Sequence, residues 1–177
     1  MKDVTIITLN GHTPRIHETA FVAPGCRLIG DVEIGAEASI WYNCVLRADV
    51  NAIRIGARSN VQDGTVIHCD AAPGFPTIIE DGALIGHMAM LHGCTIRSNA
   101  LVGLGSIVMD GCVLEENAML AAGAMLTPGK AVPSLQMWGG RPARMMRELD
   151  DKWAIGNQMA VAHYVHNGQA HKAAALG

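Results

Sequence analysis

Aliphatic residues recur every six positions along most of this chain. The count runs from Ile16 to Leu46, resumes at Ile55 after a break and at Ile79 after a second break, and reaches Val132 after a slip of one residue. A period this regular predicts a repeat architecture in which each coil stacks on the last. Small residues occupy the fourth place after the aliphatic positions: Cys26, Val32, Ala38, Cys44, Ser59, Thr65, Ala89, Thr95, Ala100, Ser106, Cys112, Ala118 and Ala124.

In a stack of coils the aliphatic positions form one column and the small residues form a second, which we call the aliphatic column and the small column. Together they predict an all-β solenoid, a parallel β-helix with a narrow interior. Three hexads form one coil of about eighteen residues, so residues 16–136 predict roughly six or seven coils, stacked about 4.8 Å apart. The composition agrees, because the chain is 50% hydrophobic but only 4% aromatic. Cys26, Cys44 and Cys112 lie in the small column and are interpreted as core residues.

Two segments interrupt the count, residues 48–54 and residues 69–78. Both are predicted to be loops expelled from the solenoid, where functional residues tend to lie. Beyond Val132, residues 143–169 have helical composition and predict an amphipathic C-terminal α-helix. The predicted organisation is therefore a β-helix over residues 1–140 and a helical segment over residues 141–177 that packs on it. The helix pattern rests on Met145, Leu149, Trp153, Gly156 and Met159/Ala160.

Charge and composition narrow the function classes. The net charge is −3 and no Lys/Arg cluster is present, so nucleic acid is not an expected partner. No apolar run approaches the length of a membrane span, and the N-terminus has no signal-peptide pattern, which predicts a cytoplasmic protein. Five cysteines without C-x-x-C spacing favour neither a disulfide framework nor a cysteine zinc site.

Two of the eight histidines share one slot of the repeat. His68 directly follows an aliphatic position, and so does His92. If the second loop expels about six residues, the two histidines lie one coil apart, about 5 Å at the backbone. Two imidazoles so placed can share one metal ion.

His87 lies two residues after the aliphatic Ile85 and therefore on the preceding face, away from the other two histidines. A second chain can bring it to them if parallel solenoids are arranged around a threefold axis. The spacing thus predicts an interfacial metal site and a trimer together. The other five histidines lie in the terminal segments and are interpreted as surface or core residues.

Several motifs together resemble the γ-class carbonic anhydrases, whose fold is a left-handed β-helix of hexapeptide repeats. The resemblance covers about residues 29–141. It rests on Arg47-Ala48-Asp49, Ile55-Gly56, Asn60-Val61-Gln62-Asp63-Gly64, His68, Ile85-Gly86-His87 and His92-Gly93-Cys94.

The resemblance implies reversible hydration of carbon dioxide to bicarbonate by metal-bound hydroxide, at subunit interfaces of a homotrimer. The implied cofactor is Zn²⁺, with Fe²⁺ or Co²⁺ as alternatives. Its ligands would be His68 and His92 of one chain and His87 of the next.

The same resemblance assigns further roles. Arg47 and Asp49 would form an ion pair across the interface, and Gln62 would hydrogen-bond the metal-bound solvent. Asn60 and Asp63 would support the site, and Tyr164 of the C-terminal helix would lie over it.

The chain departs from the founding members in its acidic residues. Val50 replaces the acidic residue after Asp49, and the loop at residues 69–78 contains Asp70 but no glutamate. This resembles the short subclass without an acidic proton shuttle and predicts weak hydratase activity. Two alternatives stay open: a hexapeptide-repeat acyltransferase that binds coenzyme A between solenoids, and a non-catalytic binding module with a structural metal.

Overall fold

A computed structural model of the chain describes residues 3–176, with side chains described as far as residue 174. Short strands dominate it, and a long helix follows them. In chain order the elements are β1 (Thr5–Ile7), β2 (Arg15–Ile16), β3 (Phe21–Val22), β4 (Arg27–Ile34), β5 (Ser39–Ile40), β6 (Val45–Ile55), β7 (Asn60–Val61), β8 (Val66–His68), β9 (Thr77–Ile79), β10 (Leu84–Ile85), β11 (Met90–His92), β12 (Thr95–Ile96), β13 (Leu101–Val102), β14 (Ile107–Val108), β15 (Val113–Leu114), β16 (Met119–Leu120), β17 (Met125–Leu126), β18 (Ala131–Val132), β19 (Gln136–Gly139), β20 (Arg144–Glu148) and α1 (Asp151–Leu176).

The strands form a parallel β-solenoid, as the six-residue period predicts. One face carries the strand order β19-β16-β13-β10-β7-β5-β3, with β20 added at its end. A twelve-stranded sheet forms the remaining faces, because the long strands β4 and β6 continue around a corner of the solenoid. Strands one coil apart pair in register, as Ile85 does with Val61 below and Val102 above.

The aliphatic column fills the interior as predicted. Its members from Leu28 to Val132 are buried, and only Ile16, at the open first coil, is partly exposed. The small column is buried too, with one correction. Thr95 is half-buried, and Cys94 fills the inward place instead, because the coil turns one residue early at Gly93, whose φ is +54°.

The five cysteines are free and buried, which confirms that Cys26, Cys44 and Cys112 are core residues. Burial raises the pKa of the Cys94 thiol far above its ordinary value. A thiol held in its neutral form is a poor nucleophile and a poor metal ligand.

The first predicted loop is wrong. Residues 48–54 continue strand β6, which runs unbroken from Val45 to Ile55. Gly30 of β4 pairs with Ala48 and Val32 pairs with Ile53, so residues 49–52 stand opposite Asp31 alone. The extra residues that broke the period therefore form a wide bulge within a paired strand. Bulges of this kind redirect side chains next to functional sites.

The second predicted loop is confirmed over residues 69–76, although Thr77 and Ile78 belong to β9. The bulge fastens this loop to the solenoid. The side-chain amide of Asn51 donates to the backbone oxygens of Asp70, at 3.1 Å, and Gly74, at 3.2 Å.

The predicted start of the C-terminal helix is wrong. Residues 144–148 form strand β20, which pairs antiparallel with β19 and so extends the solenoid sheet beyond residue 140. Helix α1 begins at Asp151, where Asp150 accepts a hydrogen bond from the Trp153 backbone N–H at 2.9 Å. An aspartate in that position caps a helix N-terminus, which explains the boundary. The division of the chain at residue 140 stays a prediction.

Helix α1 does pack on the solenoid, and its buried side is partly the predicted one, since Trp153 and Ala160 are half-buried. Asn157, Val161 and Gly168 are buried, whereas Gly156 and Met159 are exposed. The Asn157 amide donates to the backbone oxygen of Asn99 at 2.7 Å, a contact that an apolar pattern cannot reveal.

The end of α1 meets the solenoid at a group of rings. His171 bonds the Tyr42 hydroxyl at 2.9 Å and lies 4.9 Å from Trp41 between ring centroids. We call Phe21, Trp41, Tyr42, Tyr164 and His171 the aromatic cluster. Within the described residues no helix is long and apolar enough to cross a membrane.

Candidate metal centre

His68 and His92 lie one above the other, as their shared slot predicts. They end strands β8 and β11 and pair in register, so the second loop is indeed outside the coil count. Their ring centroids are 4.9 Å apart, and Nδ1 of His68 lies 2.9 Å from Nε2 of His92. Two ring nitrogens therefore point at one place on the solenoid corner.

Each of these rings has a carboxylate on its other nitrogen. Nε2 of His68 lies 2.8 Å from Oδ1 of Asp49, and Nδ1 of His92 lies 2.5 Å from Oδ1 of Asp110. A neutral imidazole has a single N–H, and a carboxylate accepts it. We call His68, His92, Asp49 and Asp110 the histidine corner.

The histidine corner fits a cation. With both N–H groups donated to carboxylates, two lone pairs face each other at 2.9 Å, and they repel unless a positive charge lies between them. Nitrogens that share a tetrahedral zinc ion lie about 3.3 Å apart, given Zn–N bonds of about 2.05 Å. A separation of the rings by a few tenths of an ångström would accommodate the ion.

The bulge in β6 is what brings Asp49 to His68. Arg47 and Asp49 also form an ion pair within the same chain. Burial opposes the charge on Asp49, but hydrogen bonds from His68 and Arg47 outweigh it and hold the pKa of this carboxyl below its ordinary value. The cross-chain form of the Arg47–Asp49 pair, which the resemblance implies, stays a prediction.

His87 is in a different place. It lies in the turn between β10 and β11, half-exposed, with Nδ1 2.9 Å from Oδ2 of Asp63. Its backbone N–H donates to Oε1 of Gln62 at 3.2 Å. In residues 3–176 no group of three or more His, Cys, Asp or Glu side chains surrounds a common point. The structure thus brings two of the three predicted ligands together within one chain.

Apolar side chains are exposed around the three histidines. Met88 is 75% exposed, Leu104 is 58% and Met90 is 49%. A group of large exposed apolar residues marks a surface suited to contact with another protein.

Gln62 and Tyr164 lie together, whereas Asn60 does not reach the histidines. A groove of about 310 Å³ between the solenoid and α1 is lined by Gln62, Tyr164 and apolar residues. Burial raises the pKa of Tyr164, and the negative charge of Asp63 adds to that shift. Asn60 is buried under the helix, where its amide donates to Oγ of Ser39 at 2.9 Å and its Oδ1 has no partner among the described residues.

The sequence interpretation missed Asp110. It occupies a Met-Asp-Gly turn after β14, which resembles ordinary turn chemistry. One signal was available, because Val108 is the aliphatic position one coil after Leu91, so Asp110 follows the slot of His92.

Fold and site together define a hexapeptide-repeat β-solenoid with a paired-histidine corner, and comparison with known proteins narrows this class. No family model matches the chain. The chain is 42% identical over 168 residues to a carbonic anhydrase of Geobacillus kaustophilus, covering 95% of this chain and 91% of that protein. It is 40% identical over 171 residues to the mitochondrial γ carbonic anhydrase 2 of Arabidopsis thaliana, covering 94% of this chain.

The chain spans 62% of the length of that plant relative. A solved hexapeptide transferase family protein from Anaplasma phagocytophilum superposes with a TM-score of 0.89 at 42% identity, covering 96% of this chain and 99% of that one. The chain belongs to the γ carbonic anhydrase family.

Proposed function

We propose that this protein is a zinc-dependent carbonic anhydrase that hydrates carbon dioxide reversibly to bicarbonate at the interfaces of a homotrimer. The observation that carries the proposal is the histidine corner. Two imidazole nitrogens lie 2.9 Å apart, and a carboxylate accepts a hydrogen bond from the other nitrogen of each ring. Fe²⁺ or Co²⁺ could occupy the same nitrogen set. The cytoplasmic location expected from the sequence stays a prediction.

His68 and His92 of one chain would hold the metal together with His87 of the next. Three neutral nitrogens would leave zinc an open position, and the metal bound there would supply Lewis-acid activation of water near neutral pH for addition to carbon dioxide. His87 suits the shared role because Asp63 holds its Nδ1, which leaves Nε2 as the available ligand atom. The exposed Met88, Met90 and Leu104 support a protein contact at the same edge.

The chain's own residues would supply orientation and an apolar approach. Gln62 is fixed through Oε1 by the His87 backbone and lies beside Tyr164 at the groove. An amide can donate and accept, so Gln62 can orient solvent and bicarbonate next to the histidines. Most of the other residues that line the groove are apolar, among them Leu84, Leu101 and Met119, which suits an uncharged, apolar substrate such as carbon dioxide.

We expect proton transfer from the site to solvent to limit the rate of this proposed enzyme. Val50 is exposed in the bulge where the founding members carry an acidic residue. Asp70 is occupied within its own loop, since its Oδ1 accepts the Ala71 backbone N–H at 2.8 Å. We therefore expect a slow hydratase whose rate depends on added buffer.

Stopped-flow hydration of carbon dioxide tests the proposal, with metal content measured on the same anaerobically purified sample. We expect a rate above the buffer blank that chelation abolishes and zinc restores. Metal binding without hydration would favour the binding-module alternative. Acetyl transfer from acetyl-coenzyme A by chelated protein would favour the acyltransferase alternative.

A further inference from the structure

The three proposed ligands share one feature: each has a carboxylate on a ring nitrogen. Asp49 is 2.8 Å from His68, and Asp63 is 2.9 Å from His87. The third carboxylate, Asp110, makes the shortest of the three contacts, at 2.5 Å from Nδ1 of His92. Nothing in the sequence motifs assigns Asp110 a role.

We infer that Asp110 is a positioning residue that acts through His92, and this inference rests on the proposed function. An imidazole can carry its proton on either nitrogen, and the hydrogen bond at one nitrogen decides the state of the other. Asp110 accepts the Nδ1–H and so leaves the Nε2 lone pair facing His68. A carboxylate in this position also makes the ring a better donor to a metal.

Two glycines lie next to the Asp110 carboxylate and leave room for it. Gly93 and Gly111 lie on neighbouring coils and are joined by a backbone hydrogen bond of 2.8 Å. A Cβ atom on Gly93 would lie 2.4 Å from Oδ1 of Asp110, far inside a permitted contact. Any side chain at position 93 would therefore displace Asp110 from His92.

Phe75 of the expelled loop packs against the same two glycines. A Cβ on Gly93 would lie 3.2 Å from the Cβ of Phe75, and a Cβ on Gly111 would lie 3.1 Å from the Phe75 ring. The loop therefore packs closely on both coils next to Asp110.

Zinc affinity is the first test, measured by competition with a chromophoric chelator on metal-stripped protein. We expect Asp110→Ala to raise the zinc Kd about 10- to 100-fold, the usual cost of losing such a partner. Asp110→Asn should lose less, because its amide oxygen still accepts the Nδ1–H. Asp81→Asn is the matched control: Asp81 is a turn aspartate whose Oδ1 accepts the Ala57 backbone N–H, and we expect wild-type affinity.

Nitrogen-15 NMR of the His92 ring is the second test, because a merely structural role for Asp110 would not change how well the Nδ1 proton of His92 is protected from exchange. At one fixed pH the zinc-loaded wild type should show an exchange-protected Nδ1 proton that Asp110→Ala lacks. Equal zinc affinity in the wild type, Asp110→Ala and Asp110→Asn would overturn the inference and leave the proposed function intact. A wild type that binds no zinc would instead overturn the proposed function. Thermal melting shows whether each variant is folded. If Asp110→Ala does not fold, the test rests on Asp110→Asn. Wild-type zinc affinity in Asp110→Asn, together with an unprotected Nδ1 proton on His92, would then overturn the inference.

Discussion

The histidine corner and the aromatic cluster use the same imidazole group for different purposes. In the histidine corner, His92 has a carboxylate on one nitrogen and a second imidazole at the other, so its lone pair is directed at a shared point. In the aromatic cluster, His171 bonds a neutral hydroxyl and lies against Trp41 and Phe21. The two imidazole rings differ in their partners. A carboxylate on one nitrogen prepares the His92 ring to bind a cation, whereas a hydroxyl and aromatic rings only hold the His171 ring in place.

The largest expected effect comes from removing a ligand of the proposed metal centre. We expect His68→Ala, His87→Ala and His92→Ala each to abolish most zinc binding, because two nitrogens hold zinc poorly. Elemental analysis of purified protein measures the loss. His171→Ala in the aromatic cluster is the control and should keep its full metal content; a His87→Ala protein with full occupancy would show that the third ligand is another group.

A carboxylate introduced at the bulge should change the hydration rate without changing the metal content of the histidine corner. We expect Val50→Glu to raise the hydration rate several-fold in dilute buffer, since it supplies a proton acceptor that this chain lacks. The wild type should reach a similar rate when an imidazole-type buffer is increased at constant pH and ionic strength.

Ile155→Glu is the matched control, because Ile155 is an exposed aliphatic residue on the outer side of the helix. Its rate should equal that of the wild type. A wild-type rate that is fast and independent of buffer would show that the chain already contains an effective shuttle.

The aromatic cluster should affect stability rather than chemistry. We expect His171→Ala to lower the free energy of unfolding by about 1 kcal/mol, through loss of the Tyr42 hydrogen bond and the ring contacts. Urea denaturation measures the change. His163→Ala should be near neutral, since His163 is exposed and its hydrogen bond is to Asn167 of its own helix. Equal effects of the two variants would contradict the structural role assigned to His171.

A carboxylate paired with arginine instead of imidazole should give the smallest effect. Burial opposes the charge on Glu80, but Arg97 and the Ser98 N–H outweigh it and lower the pKa of Glu80. A lowered folded-state pKa stabilises the fold above the unfolded value of about 4.3 and loses that contribution as pH falls below it.

We therefore expect Glu80→Gln to cost about 0.5 kcal/mol at pH 7 and progressively less below about pH 4. Urea midpoints across pH measure this difference. Glu115→Gln, whose carboxylate is 4.0 Å from Arg97, should cost less. A difference between wild type and Glu80→Gln that grows on acidification would contradict the sign of the shift.

Much of the solenoid was predictable because one constraint repeats. Every coil must place an aliphatic residue inward, so counting in sixes located the core and put His68 and His92 in one slot. The count failed where the period changed. A break in the period does not distinguish a loop from a bulge in a paired strand, so residues 48–54 were misassigned, and the short turn at Gly93 exchanged Thr95 for Cys94.

The remaining errors lie where contacts are non-local. Helix α1 docks through Asn157 and Gly168, and neither an amide bonded to a distant backbone oxygen nor a glycine at a close approach produces an apolar pattern. Asp110 was missed for the same reason, because its partner His92 is one coil away and its local sequence is that of a turn.

Subunit mixing tests the central claim, a metal centre shared between chains, most directly. His87→Ala chains keep His68 and His92, whereas His92→Ala chains keep His87, so neither variant alone contains a complete set of ligands. When the two are co-expressed in equal amounts, random assembly around a threefold axis should complete about a quarter of the interfaces. We predict that each variant alone binds little zinc and that the mixture recovers about a quarter of the wild-type zinc content and hydration rate. A mixture that binds no more zinc than the separate variants, in assemblies of wild-type mass, would contradict the shared centre.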